Sequence, residues 1–446
     1  MLFTTDKQTL EDLNIFGKHG SDSLFNIFNR CATRGGAAVL EEMFRYPLSD
    51  HEAINRRSAI ISYFAATGKN FPFASSLFEA TEPYMANRDE RTKLTEENNT
   101  LGRKMSNMIA PDNTTQLIMK GVASVIEILK TAHDFLQQLP LTNGHPYTQE
   151  KATLLKLLTM PVFAPVFNQK GKPSFAQTAE LDILFRFRYR EEIQQLLQRI
   201  YHLDLYMSIA RVATERKFAF AKALPGNTLH LQLEQVFHPG VAKAVPNTIH
   251  IGPEGNVIFL TGANMAGKST FMKSLSIAMF LAHMGFPVPA ASMEFSVMEG
   301  IYTTINLPDN LGMGASHFYA EVLRVKKMAA ELSQGKKLFI VFDELFRGTN
   351  VKDAYEATIA ITKGFARRLN SLFVISTHII EAADVLKAAT PNVRFVFLPT
   401  RMNGNMPVYT YTLEEGVTDD RHGMIIINNE GILDILEAGI QQTQPA

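Results

Sequence analysis

The stretch Gly262-Ala263-Asn264-Met265-Ala266-Gly267-Lys268-Ser269-Thr270, directly after the apolar run Val257-Ile258-Phe259-Leu260-Thr261, constrains this chain more than any other feature. The pattern reads as a buried strand, a turn with glycine at Gly262 and Gly267, and a helix opening on Lys268. Glycines let the backbone aim several N–H groups at one point, and the helix adds the positive end of its dipole there. A turn of this kind receives phosphate. The spacing predicts nucleotide binding over Gly262 to Thr270, with Lys268 at the β- and γ-phosphates and the Ser269 hydroxyl on Mg²⁺.

Punctuation divides the chain at Leu224-Pro225-Gly226-Asn227. Before it, Thr115 to Leu139, Thr148 to Leu158 and Glu191 to Ala223 carry apolar residues at three- and four-residue spacing, which predicts an all-α domain over 1–225. After it, apolar strands at Val257–Thr261, Leu338–Phe342, Leu372–Ser376 and Arg394–Leu398 alternate with helical stretches. That alternation predicts an α/β domain over 226–446 around a largely parallel sheet.

The run Leu338 to Phe342 ends in Asp343-Glu344, an apolar strand closed by two acids. Downstream of a phosphate loop, this pattern places Asp343 in the Mg²⁺ shell and Glu344 beside the attacking water. The strand Leu372 to Ser376 runs into Thr377-His378, where the imidazole can meet the γ-phosphate and sense hydrolysis; a hydrogen-bonded loop histidine is the plainer alternative. Between the two motifs lies Asn310-Leu311-Gly312-Met313-Gly314-Ala315-Ser316-His317-Phe318, a second glycine-rich loop feeding a helix. A chain with its own phosphate loop has little use for another. The economical reading is that this loop closes over the nucleotide of a second copy, giving a dimer with composite sites; ordinary loop chemistry is the alternative.

Composition narrows the remaining classes. The 446 residues are 46% hydrophobic with a formal net charge of zero, so there is no global electrostatic argument for nucleic acid. Locally, Lys151 to Lys222 holds twelve Lys and Arg against six Asp and Glu, and Arg186-Phe187-Arg188-Tyr189-Arg190 interleaves cations with aromatics. On a regular helix Arg186 and Arg190 share a face that can follow a phosphate backbone; a solvated face beside core aromatics is the alternative. The lone Cys31 excludes an intrachain disulfide and reads as a small buried hydrophobe. The best apolar stretch, Ile277 to Pro289, is broken by His283, Gly285 and Pro287 and falls short of the ~18–20 residues of a membrane span. With no intrachain disulfide possible, a reducing cytoplasm is the expected location, and Met1 to Lys7 shows no secretory signal pattern.

Together these motifs resemble the MutS family of DNA mismatch repair ATPases. Thr261 to Thr270 is similar to the family's T-G-P-N-M-G-G-K-S-T, Asp343 to Asn350 to its D-E-I-G-R-G-T-S, and Ser376-Thr377-His378 to its A-T-H. Gly314 to Phe318 stands where the family has G-R-S-T-F. Asp6 to Ile15 and Cys31 to Arg57 resemble the opening of the family's core, or lever, domain, and His238-Pro239 its H-P pair. The resemblance implies an ABC-type P-loop ATPase domain preceded by an all-α lever domain. It implies a homodimer using ATP and Mg²⁺, and double-stranded or branched DNA as partner. It assigns Ser316 to the γ-phosphate of the opposing copy, Asn264 to phosphate contacts, and Arg347-Gly348-Thr349 to the dimer interface.

Departures from the family also carry expectations. No counterpart of the amino-terminal mismatch-reading and connector domains is seen, and Pro161 to Ser174 stands where longer levers carry a DNA clamp. Ala315 replaces an arginine, and Ala244 stands where an aromatic often stacks on adenine, leaving His422 as a substitute aromatic face. The carboxyl-terminal dimerisation segment ends near Leu436. Besides a DNA-binding ATPase, the sequence suits an ATP-switched protein that engages protein partners. A small-molecule kinase fits the phosphate loop but neither the second loop nor the helical half.

Overall fold

The computed structural model describes residues 3–17, 23–94, 113–305, 317–346, 348–404, 406–418, 431–433 and 435–436. The chain forms two compact units. One gathers Met1–Ile27, Phe44–Ser58 and Ala213–Ala446, and the other Phe28–Met43 and Ala59–Val212. A cut between 225 and 226 does not describe this partition, because the first residues belong with the α/β part.

The α/β unit is built on six strands: β1 (Val257–Gly262), β2 (Gly300–Thr304), β3 (Leu338–Phe342), β4 (Leu372–Ser376), β5 (Val393–Leu398) and β6 (Glu414–Glu415). Their order is β6-β5-β1-β4-β3-β2, parallel throughout except for β6. β1, β3 and β4 are buried at every position, so their sequences are nearly continuous apolar runs instead of alternating ones. A second sheet pairs Lys222–Leu224, Ser292–Ser296, Leu231–Val236 and Asn247–Ile251. The helical expectation up to Leu224 therefore ends early, at Arg216.

Residues near the amino terminus satisfy the edge strand β2. Thr4 bridges to Gly300, Thr303 N–H donates to the Thr9 hydroxyl at 3.0 Å, and the Asp12 carboxylate accepts from the Thr303 hydroxyl and from Ile305 N–H at 2.7 and 2.9 Å. Burial opposes ionisation of Asp6, yet hydrogen bonds from Arg324 and Lys327 win and hold its carboxyl well below the usual range. An uncovered β2 would present a row of unpaired backbone groups. This is the physical reason why the first residues group with the α/β unit.

The helical unit includes α1 (Ser75–Ala86), α2 (Asn113–Gln137), α3 (Tyr147–Leu158), α4 (Phe175–Ile183) and most of α5 (Arg190–Arg216). On α2 the buried residues Ile118, Val122, Val125, Leu129, Ala132 and Leu136 recur at helical spacing. Gly121 lies among them because a Cβ there would sit 2.2 Å from Cγ of Tyr84. At the end of α4 the chain makes a π-helical turn over Leu184–Arg188. The inserted residue removes Arg186 from the face of Arg190, and Arg186 is buried at 1% exposure. Its guanidinium binds Asp182 through Nε and Nη2 at 2.5 and 2.6 Å and reaches the Thr92 hydroxyl at 2.9 Å; the Tyr84 hydroxyl also donates to Asp182. The expected phosphate-tracking face of Arg186 and Arg190 is thus absent, and Arg186 is a neutralised core residue.

Among the described residues no helix is long and apolar enough to cross a membrane. The apolar stretch of Ile277 to Pro289 instead belongs to the α/β core, where His283 is fully buried. Met298 N–H donates to His283 Nε2 at 2.9 Å, so Nδ1 carries the proton and donates to the Met279 carbonyl at 2.7 Å. Burial pulls this imidazole down to about 4, against smaller upward contributions from its two backbone hydrogen bonds. The unfolded chain gains a proton here below about pH 6.5 and the folded one only near 4. This residue's contribution to stability is therefore whole above pH 6.5 and declines by roughly 3 kcal/mol as pH falls to 4. Histidine NMR titration should find one imidazole still neutral at pH 5; a folded-state midpoint near 6.5 would contradict the assignment.

Candidate functional site

Because β1, β4 and β3 are adjacent and parallel, their carboxyl ends line up side by side. Open parallel sheets receive ligands along this edge. From β1 the chain turns through Gly262 (φ 146°), Met265 (φ 71°) and Gly267 (φ 100°) into helix α6, Lys268–His283. Asn264, Met265, Ser269 and Thr270 are exposed on this turn, while Ala263 and Gly267 are half-buried and Ala266 is buried. At Gly267 a Cβ would meet the Tyr411 ring at 3.0 Å, so the left-handed backbone and the nearby aromatic both require glycine.

Lys268 is only 5% exposed, and its ammonium donates to the loop's own carbonyls, Gly262 at 2.9 Å and Ala263 at 3.2 Å. Burial lowers its pKa below the ordinary lysine value, and the Asp343 and Glu344 carboxylates act in the opposite direction. The Ser269 hydroxyl donates to Asp343 Oδ2 at 2.5 Å. The Ser376 hydroxyl, at the end of β4, donates to Asp343 Oδ1 at 2.6 Å and accepts from Glu344 N–H at 3.0 Å. Glu344 itself holds a left-handed backbone (φ 56°), a costly conformation for a residue with a Cβ, and its carboxylate lies 2.6 Å from His378 Nε2. The structure therefore brings Lys268, Ser269, Asp343, Glu344 and His378 together. Ser316 and the loop before it, together with Arg347 and His422, lie outside the described residues.

Three residues not singled out for chemistry by sequence reasoning belong here as well. Ser376 was visible only as the start of Ser-Thr-His. A recess of about 330 Å³ beside the loop is lined by His238, Val241, Val245, Gly267, Phe271 and Tyr411. Asn247 fixes Tyr411: its amide donates to the Tyr411 carbonyl at 3.0 Å, and its Oδ1 accepts from Leu413 N–H at 2.6 Å. No sequence signal near Tyr411 marks it, since the residues that position it are more than a hundred positions away.

A parallel sheet bearing a glycine-bent loop and two acids along one edge, with a separate helical unit, defines a mixed α/β protein. The chain belongs to the MutS family: the model for MutS domain III matches residues 8–210 and the model for MutS domain V matches residues 258–442. It is similar to DNA mismatch repair protein MutS of Streptococcus equi subsp. equi (strain 4047), 27% identical over 268 residues, 58% of this chain and 31% of that protein. The MutS of Streptococcus agalactiae serotype Ia is 28% identical over 270 residues, 58% of this chain and 31% of the relative. That of Geobacillus sp. (strain WCH70) is 28% identical over 243 residues, 53% and 28%. The matched stretch thus spans under a third of each relative.

Replacing Ser376 by alanine removes one hydroxyl from a fully buried position and leaves both an Asp343 oxygen and the Glu344 N–H short of a partner. Urea unfolding should show a loss of about 1–3 kcal/mol, and an unchanged midpoint would mean that this hydroxyl holds nothing.

Proposed function

We propose that this chain binds and hydrolyses ATP with Mg²⁺, works as a pair of copies, and couples the nucleotide to contact with DNA. The observation that carries the reading is the convergence of Lys268, Ser269, Asp343, Glu344 and His378 on the edge of three adjacent strands. A buried ammonium with only carbonyl acceptors suits phosphate oxygens better than its present partners. The Ser269 hydroxyl and the Asp343 carboxylate are hard oxygen donors already in contact, the partial set that Mg²⁺ completes with water and phosphate. When bound, the ion would neutralise charge on the phosphates.

The chain's own groups do the rest. Glu344 orients a water toward the terminal phosphate and takes up its proton, and His378 sets the direction of that carboxylate. Ser376 keeps Asp343 and the Glu344 backbone in register, so the metal-holding and water-holding acids move together. The base lies in the recess against Tyr411, which supplies the aromatic face that Ala244 lacks. Ser316 of a second copy completes the site, the role that family resemblance assigns to it. The relatives bear DNA mismatch repair in their names, and DNA contact is extended from them to this chain.

Glu344→Gln should slow hydrolysis about 100-fold or more while ATP stays bound and paired copies persist; normal turnover would remove Glu344 from the mechanism. Tyr411→Ala should weaken ATP binding on the order of tenfold without moving the turnover rate at saturation. Equal affinity would place the base elsewhere. Mixing Ser316→Ala with Lys268→Ala protein should restore part of the lost turnover, and a mixture as inactive as its components would argue against shared sites.

A further inference from the structure

In the helical unit a groove of about 880 Å³ runs between α1 and the first half of α5. Its walls include Glu82 of α1 and Arg190, Gln194, Gln198, Arg199 and Tyr201 of α5. Arg190 is anomalous. Its Nε and Nη1 are shielded from solvent and have no hydrogen-bond acceptor. Asp182, the acid that neutralises the neighbouring Arg186, is taken up by it through two bonds and by the Tyr84 hydroxyl. Burial and repulsion from Arg88 and Arg186 make the charge on Arg190 still less favourable. Two of its three guanidinium nitrogens are thus shut off from water without an acceptor while the group faces two like charges, which destabilises the fold that holds it.

We propose that this groove binds the phosphodiester of an unpaired nucleotide, with Arg190 as the anion anchor. The site rests on the DNA reading given above and locates it in the helical unit. The volume falls within the ~300–1,000 Å³ of ligand sites. Glutamines at 194, 195 and 198 present neutral amides over successive turns, and Glu82 and Glu191 present acceptors. An acidic peptide would bring several carboxylates against those two acids. A nucleotide within a DNA strand brings one negative charge flanked by base amino donors, which the same acids can receive. In a duplex one hydrogen of each base amino group is tied up in pairing and the base stays in the stack. An unpaired base can swing out and offer its whole Watson–Crick edge to acceptors inside a groove, so the groove selects single-stranded or branched DNA over homoduplex.

The test compares full-length wild type, Arg190→Gln and Lys156→Gln for binding to labelled single-stranded, four-way-junction and homoduplex DNA and to a glutamate decamer, at two salt concentrations. Lys156 is an exposed cation on α3, so its variant removes the same charge away from the groove. Arg190→Gln should lose at least tenfold in affinity for the single-stranded and branched forms. Its salt slope should fall by about one ion, with an unchanged or raised Tm, while Lys156→Gln should behave as wild type. If wild type binds DNA and both variants bind it equally, the groove assignment is wrong and the DNA reading stands. If wild type binds no DNA, both fall. Loss of decamer binding alone would make the groove a peptide site and overturn the nucleotide assignment, and a lowered Tm would make Arg190 a structural residue.

Discussion

The site depends on the Asp343 carboxylate being shared. One oxygen receives the Ser269 hydroxyl from the first turn of α6, the other the Ser376 hydroxyl from the end of β4. A side chain as short as aspartate can join those elements only if β3 lies next to β4 and β4 next to β1, since neighbouring strands are about 4.8 Å apart. The strand order is therefore a condition of the chemistry. Any arrangement inserting a further strand among these three would separate the glycine-bent loop from the acids.

What could be read in advance follows from the range of the forces involved. β3 and β4 were legible to the residue because burial on both faces writes itself as an unbroken apolar run. β2 was not, since Thr303 and Thr304 are buried polar residues whose partners lie in the first dozen positions of the chain or on α7 (His317–Ser333). The glycine-bent loop after β1 and the acid pair after β3 are local patterns and were visible as such. The roles of Ser376, Asn247 and Tyr411 are set by long-range hydrogen bonds, which no local spacing encodes. Arg186 defeated its helical reading for a related reason: the π-turn that carries it is fixed by a buried network that also draws in Tyr84 and Thr92.

The helical unit shows two arginines four positions apart with opposite circumstances. Arg186 is more buried, yet every cost of that burial is answered by a bidentate carboxylate. Arg190 is less buried, yet two of its guanidinium nitrogens, Nε and Nη1, are shielded without an acceptor. Depth alone does not decide whether a buried charge is tolerated; the supply of acceptors does. A similar contrast holds in the α/β unit, where His283 is satisfied at both nitrogens and inert, while Lys268 borrows carbonyls from its own loop.

The attachment of residues 4–12 to β2 also sets an order of events during synthesis. Thr9 is made 294 residues before its partner Thr303, and Asp12 nearly as long before the same strand. At roughly 5–20 residues per second, the short helix Lys7–Asp12 leaves the ribosome tens of seconds before the surface that receives it exists. A six-residue helix has no stability of its own over such a wait. The segment must stay unstructured until translation has passed β2 and, since β2 is held in the sheet by β3, until β3 has followed it, so closure of this edge of the α/β unit comes late in its folding.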